Sequence, residues 1–232
     1  MPAHKLQLPL GIKLRDTASF ASFVAGANAE LAAQLQRFPA QIYMHGAGGS
    51  GKSHLLQALC RAADAVGRTT AYLPLRELQD VPMFLQGMAE IDVICVDDCE
   101  SIAGQREAEV ALMALCDAAR SGGRCLVLAG RNPPGELGLT LRDLSSRLGW
   151  GGVYALKPLS EADKQQALQR RARARGLELE EDVAQYLLRR TARDLPSLLE
   201  LLDQLDTASL AQRRRLTIPM VREALQASVP AV

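Results

Sequence analysis

Residues 46–53 read Gly46-Ala47-Gly48-Gly49-Ser50-Gly51-Lys52-Ser53, two glycines five positions apart directly ahead of a lysine and a serine. A phosphate cradle needs that spacing. Glycines let successive backbone N–H groups turn inward around an anion, and the N-terminus of a following helix adds its dipole. Gly46, Gly48, Gly49, Ser50 and Gly51 are the candidate cradle, Lys52 is placed for the β- and γ-phosphates, and Ser53 for Mg2+. Two other readings share these glycines. Gly46-x-Gly48-x-x-Gly51 also spells a dinucleotide fingerprint, which wants an acid at the end of the second strand, where this chain has Pro74-Leu75-Arg76. A glycine-rich turn without a ligand is the plain alternative, against which the Lys52-Ser53 pair argues.

The second chemical signal is Asp97-Asp98, which closes the apolar run Ile91-Asp92-Val93-Ile94-Cys95-Val96. Consecutive apolar residues predict a strand covered on both faces, and acids at its C-terminal end lie at the mouth where nucleotides bind. Asp97 is expected to hold Mg2+, partly through water, and Asp98 to orient or activate an attacking water. The alternative is a surface turn with two solvated acids. A further apolar run, Cys125-Leu126-Val127-Leu128-Ala129-Gly130, ends in Arg131-Asn132-Pro133-Pro134. A polar residue there would touch the γ-phosphate region, although a turn with two prolines favours Asn for local reasons too.

Strands and helices must alternate to position these groups. Residues 41–44 read as a strand before the cradle and 55–60 as part of the helix after it; 69–73 reads as a strand, and 75–88 as an amphipathic crossover helix that Pro82 disfavours as continuous. Residues 106–121 form a helical pattern ended by Gly122-Gly123, with Val110, Leu112-Met113 and Leu115-Cys116 expected on the sheet. A helix over 141–148, stopped by glycines, and a short strand over 153–156 complete the series. Residues 16–38 suit a helical entry segment with Phe20, Phe23, Leu31 and Leu35 as core. From Ser160 the pattern is all helix: a capping-box-like start, then helices near 181–191, 196–209 and 219–227. The fold class is therefore α/β, a parallel sheet flanked by helices, plus a small C-terminal all-helical domain. The expected units are a tail over 1–14, a nucleotide-binding domain over 15–158 and a helical domain over 159–232.

Composition narrows the function. With 232 residues, 48% hydrophobic and 23% charged, the chain has ample material for a core. Its net charge is +1, and residues 159–232 carry twelve Lys and Arg against eleven Asp and Glu, so neither part has the positive excess of an independent duplex binder. Arg213-Arg214-Arg215 reads as a solvated connection rather than a nucleic-acid patch. The five cysteines include no Cys-x-x-Cys pair, which argues against a zinc site or a disulfide framework and for small buried residues in a reducing compartment. No stretch approaches the ~18 apolar residues of a membrane span, and the cytoplasm is the expected location. Leu6, Gln7, Leu8, Pro9 and Leu10 make a compact apolar tail segment, which alone favours an arm packed on its own domain over a partner motif.

Taken together, the cradle, the paired aspartates and the helical C-terminal part resemble the AAA+ ATPases, and within them the initiator DnaA branch. Leu144-Ser145-Ser146-Arg147-Leu148-Gly149-Trp150-Gly151 is similar to the branch's box VII segment, whose arginine acts as a finger toward nucleotide on a neighbouring subunit. Arg193-Asp194-Leu195 resembles its sensor 2 arginine, and Leu216-Thr217-Ile218-Pro219-Met220-Val221 the lid-closing segment of the Hda group, the DnaA regulatory inactivators. DnaA continues into a helix-turn-helix domain where this sequence ends at Val232, which favours the Hda group. The resemblance implies bound adenine nucleotide, ADP or ATP, with ADP the working state of the family, and Mg2+. It implies Arg147 acting in trans on ATP held by DnaA, and residues 6–10 docking on the DNA polymerase III sliding clamp, with DNA reached through the clamp and a homo-oligomer allowed. The group's leading glutamine falls on Lys5 when aligned on Leu8-Pro9-Leu10, and Gln7 is the glutamine available. Relatives often carry Asp before the paired prolines, where this chain has Arg131-Asn132. Initiation would be switched off after it starts; the rival readings are a self-sufficient ATPase such as a helicase loader, and an adaptor whose nucleotide only stiffens it.

Overall fold

Five apolar segments pair side by side, all parallel, in the order β2-β3-β4-β1-β5. They are β1 (Gln41–His45), β2 (Thr70–Pro74), β3 (Val93–Asp97), β4 (Cys125–Gly130) and β5 (Gly152–Ala155). The computed structural model describes residues 18–88, 90–174 and 176–190, together with Leu202, Ile218, Pro219 and Arg222. Leu6, Gln7, Leu8, Pro9, Leu10 and Arg193 lie outside the described residues, as do the helix expected over 196–209, apart from Leu202, and most of 219–227.

β3 and β4 are buried at every position, which their unbroken apolar runs require of central parallel strands. Side-chain alternation sends Tyr43, Leu73, Ile94, Val96, Leu126 and Leu128 to one face, and Ile42, Met44, Val93, Cys95, Val127 and Ala129 to the other. α1 (Ala29–Leu35) and α2 (Lys52–Ala65) cover the second face through Leu31, Leu35, Leu55, Leu56 and Leu59. α3 (Val81–Gln86), α4 (Arg106–Ser121) and α5 (Arg142–Leu148) cover the first through Leu85, Leu112, Leu115, Leu144 and Leu148. Each such leucine contributes about 1.5–3 kcal/mol by leaving water. The chain is α/β, a parallel sheet with helices on both faces.

Three sequence expectations need correction. The helix expected over 75–88 is a 3-10 turn at Leu75–Glu77 followed by α3, because Asp80 caps a new start by accepting from the Met83 N–H at 3.1 Å and Pro82 sits in the first turn. Within the entry segment only a 3-10 turn, Gly26–Asn28, and α1 are helical, while Phe20 and Phe23 pack partly buried against the sheet's second face. On α4 Val110 is 43% exposed, and its place on the buried face is taken by Glu109 with Ala108, Ala111, Leu112, Leu115, Cys116 and Ala119.

Beyond β5, Asn28 and Lys157 exchange hydrogen bonds: the Asn28 amide donates to the Lys157 carbonyl at 2.9 Å, and the Lys157 N–H to Asn28 Oδ1 at 2.8 Å. α6 (Glu161–Ala174) starts at the expected capping box, in which Ser160 Oγ accepts from the Asp163 N–H at 3.1 Å and Asp163 Oδ2 accepts from the Ser160 N–H at 3.2 Å. With α7 (Glu181–Arg190) it closes a separate apolar cluster of Leu168, Ala172, Val183, Ala184, Leu187 and Leu202. All five cysteines are free and buried. Among the described residues no helix is long and apolar enough to cross a membrane.

Candidate functional site

Two regions at opposite ends of the sheet hold the residues that can do chemistry. At the C-terminal end, β1 runs into the glycine-rich loop and the loop into α2. The Gly46 N–H donates to the Gly130 carbonyl at 3.3 Å, tying the loop's start to the end of β4, and the Leu55 N–H donates to the Gly51 carbonyl at 3.0 Å as α2 begins. Gly51 carries φ +100°, and a Cβ there would meet Phe23 Cε2 at 2.9 Å, so backbone shape and packing both call for glycine. Gly48 faces open space.

Lys52 is 8% exposed and turns its ammonium back onto the loop, donating to the Gly46 carbonyl at 2.7 Å and the Ala47 carbonyl at 3.0 Å. Burial pushes its pKa below the ordinary lysine range, against the opposing charges of Asp97, Glu100 and Asp98. Ser50 Oγ is buried with no hydrogen-bond partner among the described residues. A buried cation whose hydrogen bonds among the described residues go to neutral carbonyls, an orphan hydroxyl and open approach over Gly48 fit the phosphates of a nucleotide.

Asp97 is 2% exposed at the end of β3; β4, between β3 and β1, separates its strand from the loop's. Its Oδ2 accepts from the Tyr72 hydroxyl at 2.9 Å and its Oδ1 from the Asp98 N–H at 2.9 Å. Desolvation raises its pKa, a hydrogen bond from Ser53 opposes the rise, and the Asp98 charge adds to it. The two candidate Mg2+ ligands, Ser53 and Asp97, are thus brought into contact. Asp98 adopts the left-handed conformation, φ 55° and ψ 45°, and its Oδ2 lies 3.6 Å from Arg76 Nε. Glu100, which sequence reading missed, gathers Arg76 at 3.4 Å and Arg131 at 3.2 Å and accepts from the Arg131 N–H at 3.1 Å. Asn132 accepts from the Tyr43 hydroxyl through its carbonyl at 2.8 Å.

At the other end, Arg147 lies in the last turn of α5. Gln41, the first residue of β1, donates from Nε2 to the Arg147 carbonyl at 2.6 Å. β1 runs from that contact to the loop, and its four residue-to-residue rises of about 3.3 Å put a strand length of about 13 Å between the end that holds the Arg147 backbone and the end that enters the cradle. Its side chain is 24% exposed, neither interior nor free: Nε meets Asp117 Oδ1 at 2.8 Å, and Nη1 donates to the Asp143 carbonyl at 3.3 Å. The Asp117 hydrogen bond raises its pKa further above the ordinary arginine value. Trp150, 39% exposed, has the Arg147 guanidinium 5.2 Å and the Arg120 guanidinium 4.5 Å from its ring centroid.

The helix that carries Arg147 is held at both ends. Glu109, fully buried, accepts from the N–H groups of Gly104 (2.9 Å), Thr140 (3.0 Å) and Leu141 (2.8 Å) and from the Thr140 hydroxyl (2.8 Å). Burial alone would raise its pKa, but the Thr140, Leu141 and Gly104 hydrogen bonds outweigh it, leaving the carboxyl below the ordinary range. Its one sequence signal was its spacing from Leu112 and Cys116, which puts an acid on the apolar stripe. At the far end Gly151 lets the chain pass hard against the Gln41 carbonyl, where no Cβ fits.

Residues 14–155 match the family model of the bacterial DnaA ATPase domain, and residues 161–225 that of the Hda lid domain. Among solved structures, domain III of the replication initiation protein DnaA from Thermotoga maritima superposes with a TM-score of 0.81 at 18% identity, over 95% of this chain and 100% of that one. AMPPCP-bound DnaA from Aquifex aeolicus gives 0.70 at 19% identity, over 84% of this chain and 66% of that one. A RuvB variant from Thermotoga maritima gives 0.69 at 15%, over 92% and 72%. At these identities the structures testify to the shared fold.

Proposed function

The chain belongs to the DnaA-related AAA+ family, and from that premise we propose that it is a regulator of replication initiation that acts on DnaA. In this reading it binds adenine nucleotide, ADP as the working state, through Gly46, Gly48, Gly49, Ser50, Gly51 and Lys52, with Ser53 and Asp97 on Mg2+ and Arg193 reaching the nucleotide from the lid. The reading is supported by the AMPPCP held by the Aquifex aeolicus DnaA and by the buried, neutral-bonded Lys52 of this chain. Bound nucleotide would supply a polyanion at the loop. Lys52 neutralises it, Ser50 donates to it, and Phe23 and the loop exclude water.

The observation that carries the trans role is the placement of Arg147 at the sheet end away from its own loop, partly exposed, on a helix locked by Glu109 and Gln41. A guanidinium there serves a neighbour's phosphates. Presented to ATP on DnaA, it stabilises charge on the transferring phosphoryl group, an effect of about 10³ to 10⁵ in other systems. Residues 6–10 dock the protein on the sliding clamp, so DNA is reached indirectly, in the cytoplasm, and re-initiation is prevented. A second reading, a self-sufficient ATPase such as a helicase loader, is favoured by Asp97 and Asp98 beside the chain's own loop. The test adds the protein to ATP-loaded DnaA with clamp on DNA: accelerated hydrolysis that disappears without residues 1–14 supports the proposal. Unchanged DnaA hydrolysis, with brisk turnover by the isolated protein abolished by Asp98→Asn, supports the rival.

A further inference from the structure

An arginine carries five N–H donors in a rigid plane. In Arg147 two are engaged from within the chain, Nε–H by Asp117 Oδ1 at 2.8 Å and one Nη1–H by the Asp143 carbonyl at 3.3 Å, and no further hydrogen-bond acceptor meets the group among the described residues. Asp117 stands on α4, which is packed into the sheet by Leu112, Leu115 and Cys116; Trp150 follows α5, which is packed by Leu144 and Leu148. The guanidinium is therefore held between two anchored helices, with the Trp150 ring 5.2 Å away.

We propose that Asp117 and Trp150 are positioning residues that pre-orient the Arg147 guanidinium, leaving both Nη2 hydrogens and one Nη1 hydrogen for a phosphoryl group on a second protein. The inference rests on the trans-acting role argued above. A long side chain ordered before docking does not give up its rotamer freedom at the moment of reaction, and preorganised charge acts on the rate more than on the affinity. Arg120, on the same ring at 4.5 Å, holds the indole from the α4 side.

The test titrates full-length wild type, Asp117→Asn, Asp117→Ala, Trp150→Phe, Trp150→Ala, Arg147→Ala and Asp117→Ala/Arg147→Ala against ATP-loaded DnaA with clamp on DNA. Maximal hydrolysis is expected to fall about tenfold to a hundredfold in Asp117→Ala and Trp150→Ala, the scale of a misplaced catalytic group. The half-saturating concentration should stay within about twofold, Trp150→Phe should keep most of the activity, and the double variant should be no slower than Arg147→Ala alone. In the isolated protein the Arg147 Nε–H resonance, assigned by its loss in Arg147→Ala, should be shifted and slow to exchange, and should lose both properties in Asp117→Asn. The volume-conserving Asn variant also serves if Asp117→Ala fails to fold. Faster hydrolysis in Asp117→Ala would mean that the carboxylate restrains the arginine, and overturns the proposal. An unchanged maximal rate in Asp117→Ala, with Arg147→Ala inactive, overturns the positioning claim alone; full stimulation by Arg147→Ala overturns the trans role and the positioning claim with it.

Discussion

Replacing Glu109 by alanine removes a carboxylate that satisfies three backbone N–H groups and one hydroxyl at a point with no solvent exposure. A hydrogen bond to a charged group is worth about 1.5–3 kcal/mol and an unsatisfied buried donor costs about 1–3 kcal/mol, but the four share one acceptor group and do not add. The loss expected is about 3–5 kcal/mol, as for one side of a buried charged network. Glu109→Gln keeps the volume but turns an amide NH2 toward donors, and should lose about 2–3 kcal/mol on the same grounds. Trp150, the chain's single tryptophan, lies two residues past the helix that Glu109 anchors. Urea unfolding read by its fluorescence should show the alanine midpoint lower by about 1–2.5 M for a slope of about 2–3 kcal/mol per M. The pH dependence follows from the lowered pKa of Glu109. A carboxyl depressed in the folded state contributes stability above its unfolded value, 4.5 for an ordinary glutamate, and loses that contribution as pH falls through its folded value. The gap between wild type and Glu109→Gln should be widest near neutrality and close at acid pH. A loss under about 1 kcal/mol in Glu109→Ala at pH 7, or a gap constant down to acid pH, would refute the reasoning.

Other expectations concern the loop and Asp97. Gly51→Ala, strained at φ +100° and crowded by Phe23, should cost about 1–3 kcal/mol of stability by thermal unfolding, whereas Gly48→Ala, facing open space, should stay within about 0.5 kcal/mol. Any loss of nucleotide affinity in Gly48→Ala by calorimetry then reports crowding of the ligand. Asp97 has a raised pKa, so its ionised form opposes folding above that value, and Asp97→Asn should stabilise the nucleotide-free protein at pH 7 with a gain that fades in acid. Tyr72→Phe removes a donor to Asp97 and should move the acid limb of Mg2+-dependent nucleotide binding to higher pH.

Much of the fold was legible because the residues that shape it act locally. The glycine pair at 122–123 and the unbroken apolar run after it marked α4 and β4 to the residue. The loop at 46–53 carries its glycine, lysine and serine signals within eight positions. Apart from Ser53 with Asp97, partnerships that cross the chain were not legible. Glu109's place on the apolar stripe of α4 marks it as unusual but names no partner until Thr140 and Leu141, over thirty positions away, converge on it, and Asp117 meets Arg147 across a separation of 30. Strand order was equally silent, since the crossover from β1 to β2 skips two strands, and that order, with the direction of β1, puts Arg147 opposite its own cradle.

The central claim is that Arg147 works on a neighbour's nucleotide and Lys52 on the chain's own. Single-turnover hydrolysis of ATP already bound to DnaA, measured with clamp on DNA and either wild type or Arg147→Ala, tests it most directly. The account predicts rapid hydrolysis with wild type and a rate near that of DnaA alone with Arg147→Ala, although the variant binds ADP as wild type does. Equal rates with the two proteins would contradict it.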